Sequence, residues 1–395
     1  MGKKPIAYVL DSFPVLSETF VGTEMRAMME QGHAVQPIAF NAPSGEFQAA
    51  DRRLADRTLY LGRIGPNPAR IRAAILRLGR GDATARRALS FLWGQSGLHR
   101  RSLLWNAAKL AAAAEAAGCR HLHAHFAGGA AAHALIAARM IGASISFVCH
   151  GHDVYSEAQD LPAKLRAADF TVAVCQEMAA DLAALEPEAA IAMIPCGIEP
   201  RRFNPRPAES ADNGRYLFVG RLVEQKGMDD LLAALALIPA TRRPPLDVVG
   251  EGPDGTALRD RAASLGLLEG VRFLGARQGS WIAARGPRYR ALVGPFKAAG
   301  TGARDTGPLV VKEAMAMGLP VVASRFMGVK DTVTPDTGIL FEPGNAQSLA
   351  AALVAMEGVP PSRRQAMGRA GRIRVLDCFT ASRQARALSR RIDAA

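Results

Sequence analysis

The sequence predicts an α/β protein built from two doubly wound, Rossmann-like domains facing a central cleft. Three observations carry that prediction. Short apolar runs alternate with longer amphipathic stretches along most of the chain, the pattern of parallel strands joined by helices. The alternation breaks once, at the polar, Pro- and Gly-bearing stretch 206–214, and then starts again. At 395 residues the chain also exceeds what one ordinary core accommodates. The expected domains are therefore 1–205 on the acceptor side and 215–376 on the nucleotide side, with 206–214 as linker. Residues 377–395 are expected as a terminal helix returning to the first domain.

The first strand is 6–10, too short for a signal peptide, and it stops at Asp11. A loop follows at 12–19, then a helix at 20–31 stopped by Gly32, then a strand at 35–40. The Ala-rich stretch 106–117 reads as a helix. Further first-domain strands are expected at 121–126, 144–149, 170–174 and 192–194. After the linker, strands are expected at 216–219, 246–249, 271–274, 290–293, 321–323 and 338–341. Helices lie between them, as at 228–237, 256–265, 309–317 and 346–356, and the tail 382–392 is basic and amphipathic. Two such domains facing each other set their strand C-termini around the cleft.

A net charge of +13 implies an anionic partner: nucleic acid, anionic lipid or a phosphorylated substrate. No nucleic-acid-binding motif accompanies it. The charge concentrates in 63–109, where ten Arg and Lys face one acid, Asp82, among Leu, Ile and Trp. That mixture suits an anionic membrane surface and equally a solvated basic face over a core, and both readings stand. The five cysteines form no C-x-x-C pair and read as reduced core residues, which sets the protein in the cytoplasm.

Two segments carry chemistry in the second domain. Gly220-Arg221-Leu222-Val223-Glu224-Gln225-Lys226-Gly227 follows a strand and precedes a helix. Arg221 and Lys226 at a strand's C-terminal end suit a diphosphate and its departure. In Asp305-Thr306-Gly307-Pro308-Leu309-Val310-Val311-Lys312-Glu313 a tight turn opens a helix. Its first backbone N–H groups, after Gly307 and Pro308 at Leu309 and Val310, are free for phosphate or sugar oxygens. Asp305 and Glu313 bracket that start, and acids beside an anion site suit sugar hydroxyls. Between the two segments lies Gly250-Glu251-Gly252-Pro253-Asp254-Gly255, a literal G-x-G-x-x-G after a strand. It supports an alternative, an NAD-dependent oxidoreductase. Against that reading, Pro253 removes an N–H, and the strand after it ends in Gly275-Ala276-Arg277 without a ribose-binding acid.

These segments resemble the E-x7-E, G-R-L-x-x-x-K-G and G-x-G-P motifs of the family-4 retaining glycosyltransferases, which have the GT-B fold. The first acid here is Asp, so the pattern is D-x7-E. The likeness covers about residues 5–380. It implies hexosyl transfer from a nucleoside-diphosphate sugar with retained configuration, Arg221 and Lys226 on the phosphates, Gly250 and Gly252 at the nucleotide, Glu313 on the ribose and Asp305 on the sugar. His150-Gly151-His152-Asp153 resembles the segment whose His contacts the transferred sugar, so His150 joins Asp305 and Glu313 as a catalytic candidate. The loop Phe13-Pro14-Val15-Leu16-Ser17-Glu18-Thr19-Phe20 resembles a bacterial exopolysaccharide subgroup with F-P-x-L-S-E-T-F. Ser17, Glu18 and Thr19 either contact acceptor or phosphate or cap the helix; His125 and Asp153 complete the acceptor-side candidates. The subgroup likeness and the basic region imply a saccharide or lipid-linked acceptor and a peripheral place on the inner membrane face. Pro195-Cys196-Gly197-Ile198-Glu199 matches the family's P-N-G-V-D turn with Cys for Asn. His121, His123 and His125 share one face of a strand, yet no D-x-D motif occurs, and no metal or other cofactor is expected. A silent nucleotide-sugar-binding protein is the remaining alternative, resting on the Asp305 departure.

Overall fold

The computed structural model describes residues 2–43, 45, 47–63, 67–205 and 212–395. The chain divides into two compact units, residues 1–197 with 381–395, and residues 198–380. Most of the expected linker, 206–211, lies outside the described residues. The stretch from Ile198 to Pro205, set by the sequence in the first domain, belongs to the second unit. There Ile198 bridges Thr380 and its N–H donates to Phe379 O at 2.9 Å.

The first unit is built on seven strands: β1 (Ile6–Ser12), β2 (Val35–Asn41), β3 (Leu59–Tyr60), β4 (His121–His125), β5 (Ser144–Val148), β6 (Phe170–Ala173) and β7 (Ile191–Met193). Their order is β3-β2-β1-β4-β5-β6-β7, and every pair is parallel. β1 therefore sits between β2 and β4, with Ile6 opposite both Val35 and His121. The chain reverses its direction of winding between β1 and β4, where a doubly wound sheet opens a crevice at the strand C-termini. β3, two residues long, carries no apolar run and no alternation, which is why periodicity alone does not reveal it. The helix expected at 106–117 starts earlier, at Arg100, and runs to Ala116.

The second unit repeats the plan with six strands: β8 (Tyr216–Val219), β9 (Leu246–Val249), β10 (Val271–Gly275), β11 (Ala291–Gly294), β12 (Val321–Ser324) and β13 (Gly338–Phe341). Their order is β10-β9-β8-β11-β12-β13, again all parallel, with the switch between β8 and β11. Alternate residues enter opposite layers. Phe218 and Val248 join one apolar cluster, Leu217 and Val249 the other. Burial on both faces explains why these strands read as continuous apolar runs. Each unit is thus a doubly wound parallel α/β sheet, as the sequence predicts.

The final helix, Ala381–Ala394, belongs to the first unit and packs on the helix Thr19–Glu30. Its buried face holds Gln384, Ala385, Leu388, Ser389 and Ile392. Four of the five cysteines are buried as expected; Cys378 is exposed instead.

Candidate functional site

In the second unit, the loops after β8 and β11 flank the switch point, and each delivers a charged residue. The β8 loop carries Arg221, exposed, and Lys226, half-buried. The β11 loop carries Asp305, whose carboxylate receives Lys226 Nζ in a short ion pair. Lys226 also lies 5.4 Å from the centre of the Phe296 ring. D-x7-E and G-R-L-x-x-x-K-G, 79 residues apart at this contact, therefore meet in space. Arg221 makes no ion pair among the described residues and remains available to a ligand.

Glycine makes this crowding possible. A Cβ on Gly250 would lie 1.8 Å from Gly220 O, one on Gly252 would lie 2.3 Å from Leu222 O, and one on Gly227 would lie 1.8 Å from Pro295 O. Gly250 (φ 139°) and Gly227 (φ 68°) also adopt left-handed backbone. Three hydrogen bonds stitch the β8 and β9 loops, Gly220 N–H to Val249 O at 3.0 Å, Leu222 N–H to Glu251 O at 3.0 Å and Asp254 N–H to Leu222 O at 3.2 Å. Loop-on-loop packing thus accounts for the glycines at 250 and 252, two of the three in the G-x-G-x-x-G spacing, without a dinucleotide.

The helix Leu309–Ala316 follows Pro308, with no side chain capping its start. The N–H groups of Leu309 and Val310 have no helical carbonyl ahead of them. One turn on, Glu313 is half-buried, and burial pushes its carboxyl up to about 7, against a smaller lowering by Arg202. Its neighbour Lys312 is buried, with Nζ 5.2 Å from the Phe379 ring centre.

The first unit has its own concavity at the ends of β1, β4 and β5, a cavity of about 420 Å³ lined by Asp11, Glu18, Phe126, His152 and Asp153 among others. Burial raises the carboxyls of Asp11 and Glu18. Glu18 occupies the cap position of helix Thr19–Glu30 without a side-chain capping bond, so neither Ser17 nor Glu18 caps it. Ser17 is exposed and Thr19 half-buried. Asp153 is committed to the backbone: its oxygens accept from His150 N–H at 2.9 Å and Ala127 N–H at 2.6 Å. Buried Lys164 completes this bracket, donating to Ala127 O at 2.7 Å and Gln159 O at 2.8 Å.

Asp153 thereby fixes the peptide that carries His150. The imidazole sits between Phe20 (4.5 Å between ring centres) and Phe126 (4.6 Å) and retains 8% exposure. Burial, then the neighbouring His125, lower its pKa to about 3. Its Nε2 is 3.4 Å from His125 Nδ1.

Behind His125 lies Glu24, from the helix Thr19–Glu30, almost wholly buried. Its Oε1 is 3.3 Å from Nε2 of both His123 and His125. Tyr8 Oη donates to Oε1 at 3.0 Å and Gln384 Nε2 to Oε2 at 2.5 Å. Burial alone would raise this carboxyl; its interactions with the His125 and His123 rings outweigh it and hold Glu24 below the usual carboxylate range. Glu24, His123 and His125 are the described residues that could hold a metal, their ligating atoms lying within 4.8 Å of one another. His121 takes no part and instead meets Ser144 Oγ (2.7 Å) and Ser146 Oγ (2.8 Å).

The structure thus groups Lys226 with Asp305, and His125 with His150. The sequence reading missed Glu24, Asp11, Lys164 and Arg202. Asp11 had a signal, as the first acid after a buried strand; Glu24 had none, because its buried partners are distant in sequence. Among the described residues no helix is long and apolar enough to cross a membrane.

Residues 17–202 match the model described as Glycosyltransferase Family 4, and residues 213–357 that described as Glycosyl transferases group 1. A Mycobacterium tuberculosis GDP-mannose-dependent alpha-(1-6)-phosphatidylinositol monomannoside mannosyltransferase is 32% identical over 62% of this chain and 69% of that protein. The amylovoran biosynthesis glycosyltransferase AmsK of Erwinia amylovora is 27% identical over 87% of this chain and 88% of its own. The crystal structure of Anabaena HepE in complex with UDP superposes with a TM-score of 0.75 at 17% identity, covering 99% of this chain and 100% of that one, a likeness of fold. The match spans about half the length of some other curated relatives, as in Corynebacterium glutamicum.

Proposed function

The chain belongs to glycosyltransferase family 4, and from that premise we propose that it moves a hexosyl group from a nucleoside-diphosphate sugar to a saccharide or lipid-linked acceptor, with retained anomeric configuration. The observation that carries this reading is the meeting of Lys226 and Asp305 beside the switch point, ahead of the helix Leu309–Ala316 that bears Glu313. In this account Arg221 and Lys226 hold the diphosphate. The N–H groups of Leu309 and Val310 bind phosphate or sugar oxygens, Glu313 the ribose, Asp305 the sugar hydroxyls. His150 orients the sugar.

The bond from the anomeric carbon to the phosphate oxygen breaks, and a bond from the acceptor oxygen forms on the same face. The acceptor's proton passes to the departing phosphate. Arg221 and Lys226 neutralise the charge that grows there, a contribution far larger in a desolvated site than in water. No enzyme carboxylate attacks, and no metal is needed for this route. The relatives that use GDP-mannose make that donor the first to test, and exopolysaccharide synthesis is the role suggested by the likeness to AmsK. On helices Pro68–Leu78 and Ala83–Gly94, Leu76 and Trp93 are each 62% exposed among arginines, which supports docking on an anionic inner membrane face.

Incubation with GDP-mannose, UDP-sugars and ADP-sugars, with and without anionic vesicles, tests the proposal. One donor should release its nucleoside diphosphate, and proton NMR of the first-formed product should show the donor's anomeric configuration. Product of inverted configuration, or no turnover of any sugar nucleotide, would sink it.

A further inference from the structure

We infer that Glu24 and His125 are positioning residues that fix the ring hydrogen of His150 on Nε2 and so present its bare Nδ1 to a ligand hydroxyl. Hydrogen-bond polarity fixes the assignment. An ionised carboxylate only accepts, and a neutral imidazole carries one donor and one acceptor. Glu24 Oε1 faces His125 Nε2 at 3.3 Å, so the hydrogen of His125 is on Nε2. His125 Nδ1 is then an acceptor. It faces His150 Nε2 at 3.4 Å, so that nitrogen donates. The one hydrogen of His150 is spent, and its Nδ1, without a protein partner among the described residues, carries a free lone pair.

On its other side Glu24 meets His123, whose Nε2 lies 3.3 Å from the carboxylate without the geometry of a hydrogen bond. His123 Nδ1 meets Ser146 Oγ at 2.7 Å, Ser146 Oγ meets His121 Nε2 at 2.8 Å, and His121 Nδ1 meets Ser144 Oγ at 2.7 Å. Tyr8 and Gln384 hold the Glu24 carboxylate in place from two other elements. Aromatic packing by Phe20 and Phe126 holds His150 itself, so its hydrogen-bonding character, not its position, depends on Glu24.

A metal on Glu24, His123 and His125 would reverse the assignment. It would take the Nε2 lone pair of His125, force the hydrogen to Nδ1 and make His150 Nε2 the acceptor. The two arrangements differ in a directly readable way.

The kinetic consequence rests on the proposed transfer; the ring assignment does not. Long-range proton–nitrogen spectra of ¹⁵N-histidine protein at pH 8, assigned with His150→Gln, read each tautomer in the intact chain. His125 and His150 should both carry Nε2–H. A hydrogen on Nδ1 of His150, with or without bound zinc, would overturn the proposal. Glu24→Gln, whose amide donates as well as accepts, should convert part or all of His150 to Nδ1–H. It should also lower kcat/KM about ten-fold, the scale of one hydrogen bond. Ser144→Ala, at the far end of the series, should change neither. An unchanged His150 tautomer in folded Glu24→Gln would overturn the proposal; should that variant not fold, the wild-type spectrum decides alone. Nε2–H at His150 in a protein that turns over no sugar nucleotide would support the relay and sink the functional reading.

Discussion

The two units solve similar placement problems with different materials. In the second, backbone does the placing: glycines let the β8 and β9 loops touch, and Lys226 and Asp305 follow from the loops' course. In the first, side chains do it: Asp153 pins the peptide of His150, and Glu24 sets the polarity of the rings behind it. The lesson is that a site made by backbone leaves a local motif in the sequence. A site made by buried side chains leaves scattered polar residues that each look incidental.

The largest expected effect lies in the second unit. Lys226→Ala removes a cation from the departing diphosphate and should lower kcat by about 10²–10³-fold, the usual loss for one charge-stabilising donor. Turnover near wild type in a folded Lys226→Ala protein would leave the Lys226–Asp305 pair a structural one. That loss should exceed the ten-fold expected for Glu24→Gln, because Lys226 touches the reacting group and Glu24 acts through two rings.

Gly250→Ala sharpens the contrast through stability. Its Cβ would sit 1.8 Å from Gly220 O at φ 139°, so thermal or urea unfolding should show a loss of about 3 kcal/mol. Gly358 ends its helix with nothing within 4 Å of a built Cβ, so Gly358→Ala should be neutral or slightly stabilising. Equal effects at the two positions would contradict the packing account of the glycine loop.

A pH dependence probes the second unit in another way. Glu313 titrates near 7 in the folded protein against an ordinary 4.5, because burial disfavours its charge. The folded state therefore holds a proton that the unfolded chain releases between those values. Stability from this group falls as pH rises through that window, and the cost is complete above 7. Glu313→Gln stays neutral, so its melting temperature should exceed that of wild type at pH 8 and match it at pH 5. A constant difference across that range would contradict the burial of the Glu313 charge.

Much of the fold was legible because buried parallel strands are uniform apolar runs between Gly and Pro punctuation, as at Leu246–Val249 and Val321–Ser324. β3 escaped because two residues make no pattern. In the candidate site, the charged motif residues were legible, but the reason for the glycines at 250 and 252 was not, since Gly220 O and Leu222 O approach only in the folded loops. Glu24 was invisible for a stronger reason. On a helix it reads as a solvent-facing acid, and its partner Gln384 lies 360 residues away on the last helix.

The most direct test of the central claim is a thermal-shift titration with GDP-mannose, UDP-sugars and ADP-sugars, run beside NAD(H) on wild type and Lys226→Ala. A ligand that binds only the folded protein raises its melting temperature. The account predicts a rise with one sugar nucleotide, diminished in Lys226→Ala, and none with NAD(H). A rise with NAD(H) alone would contradict it.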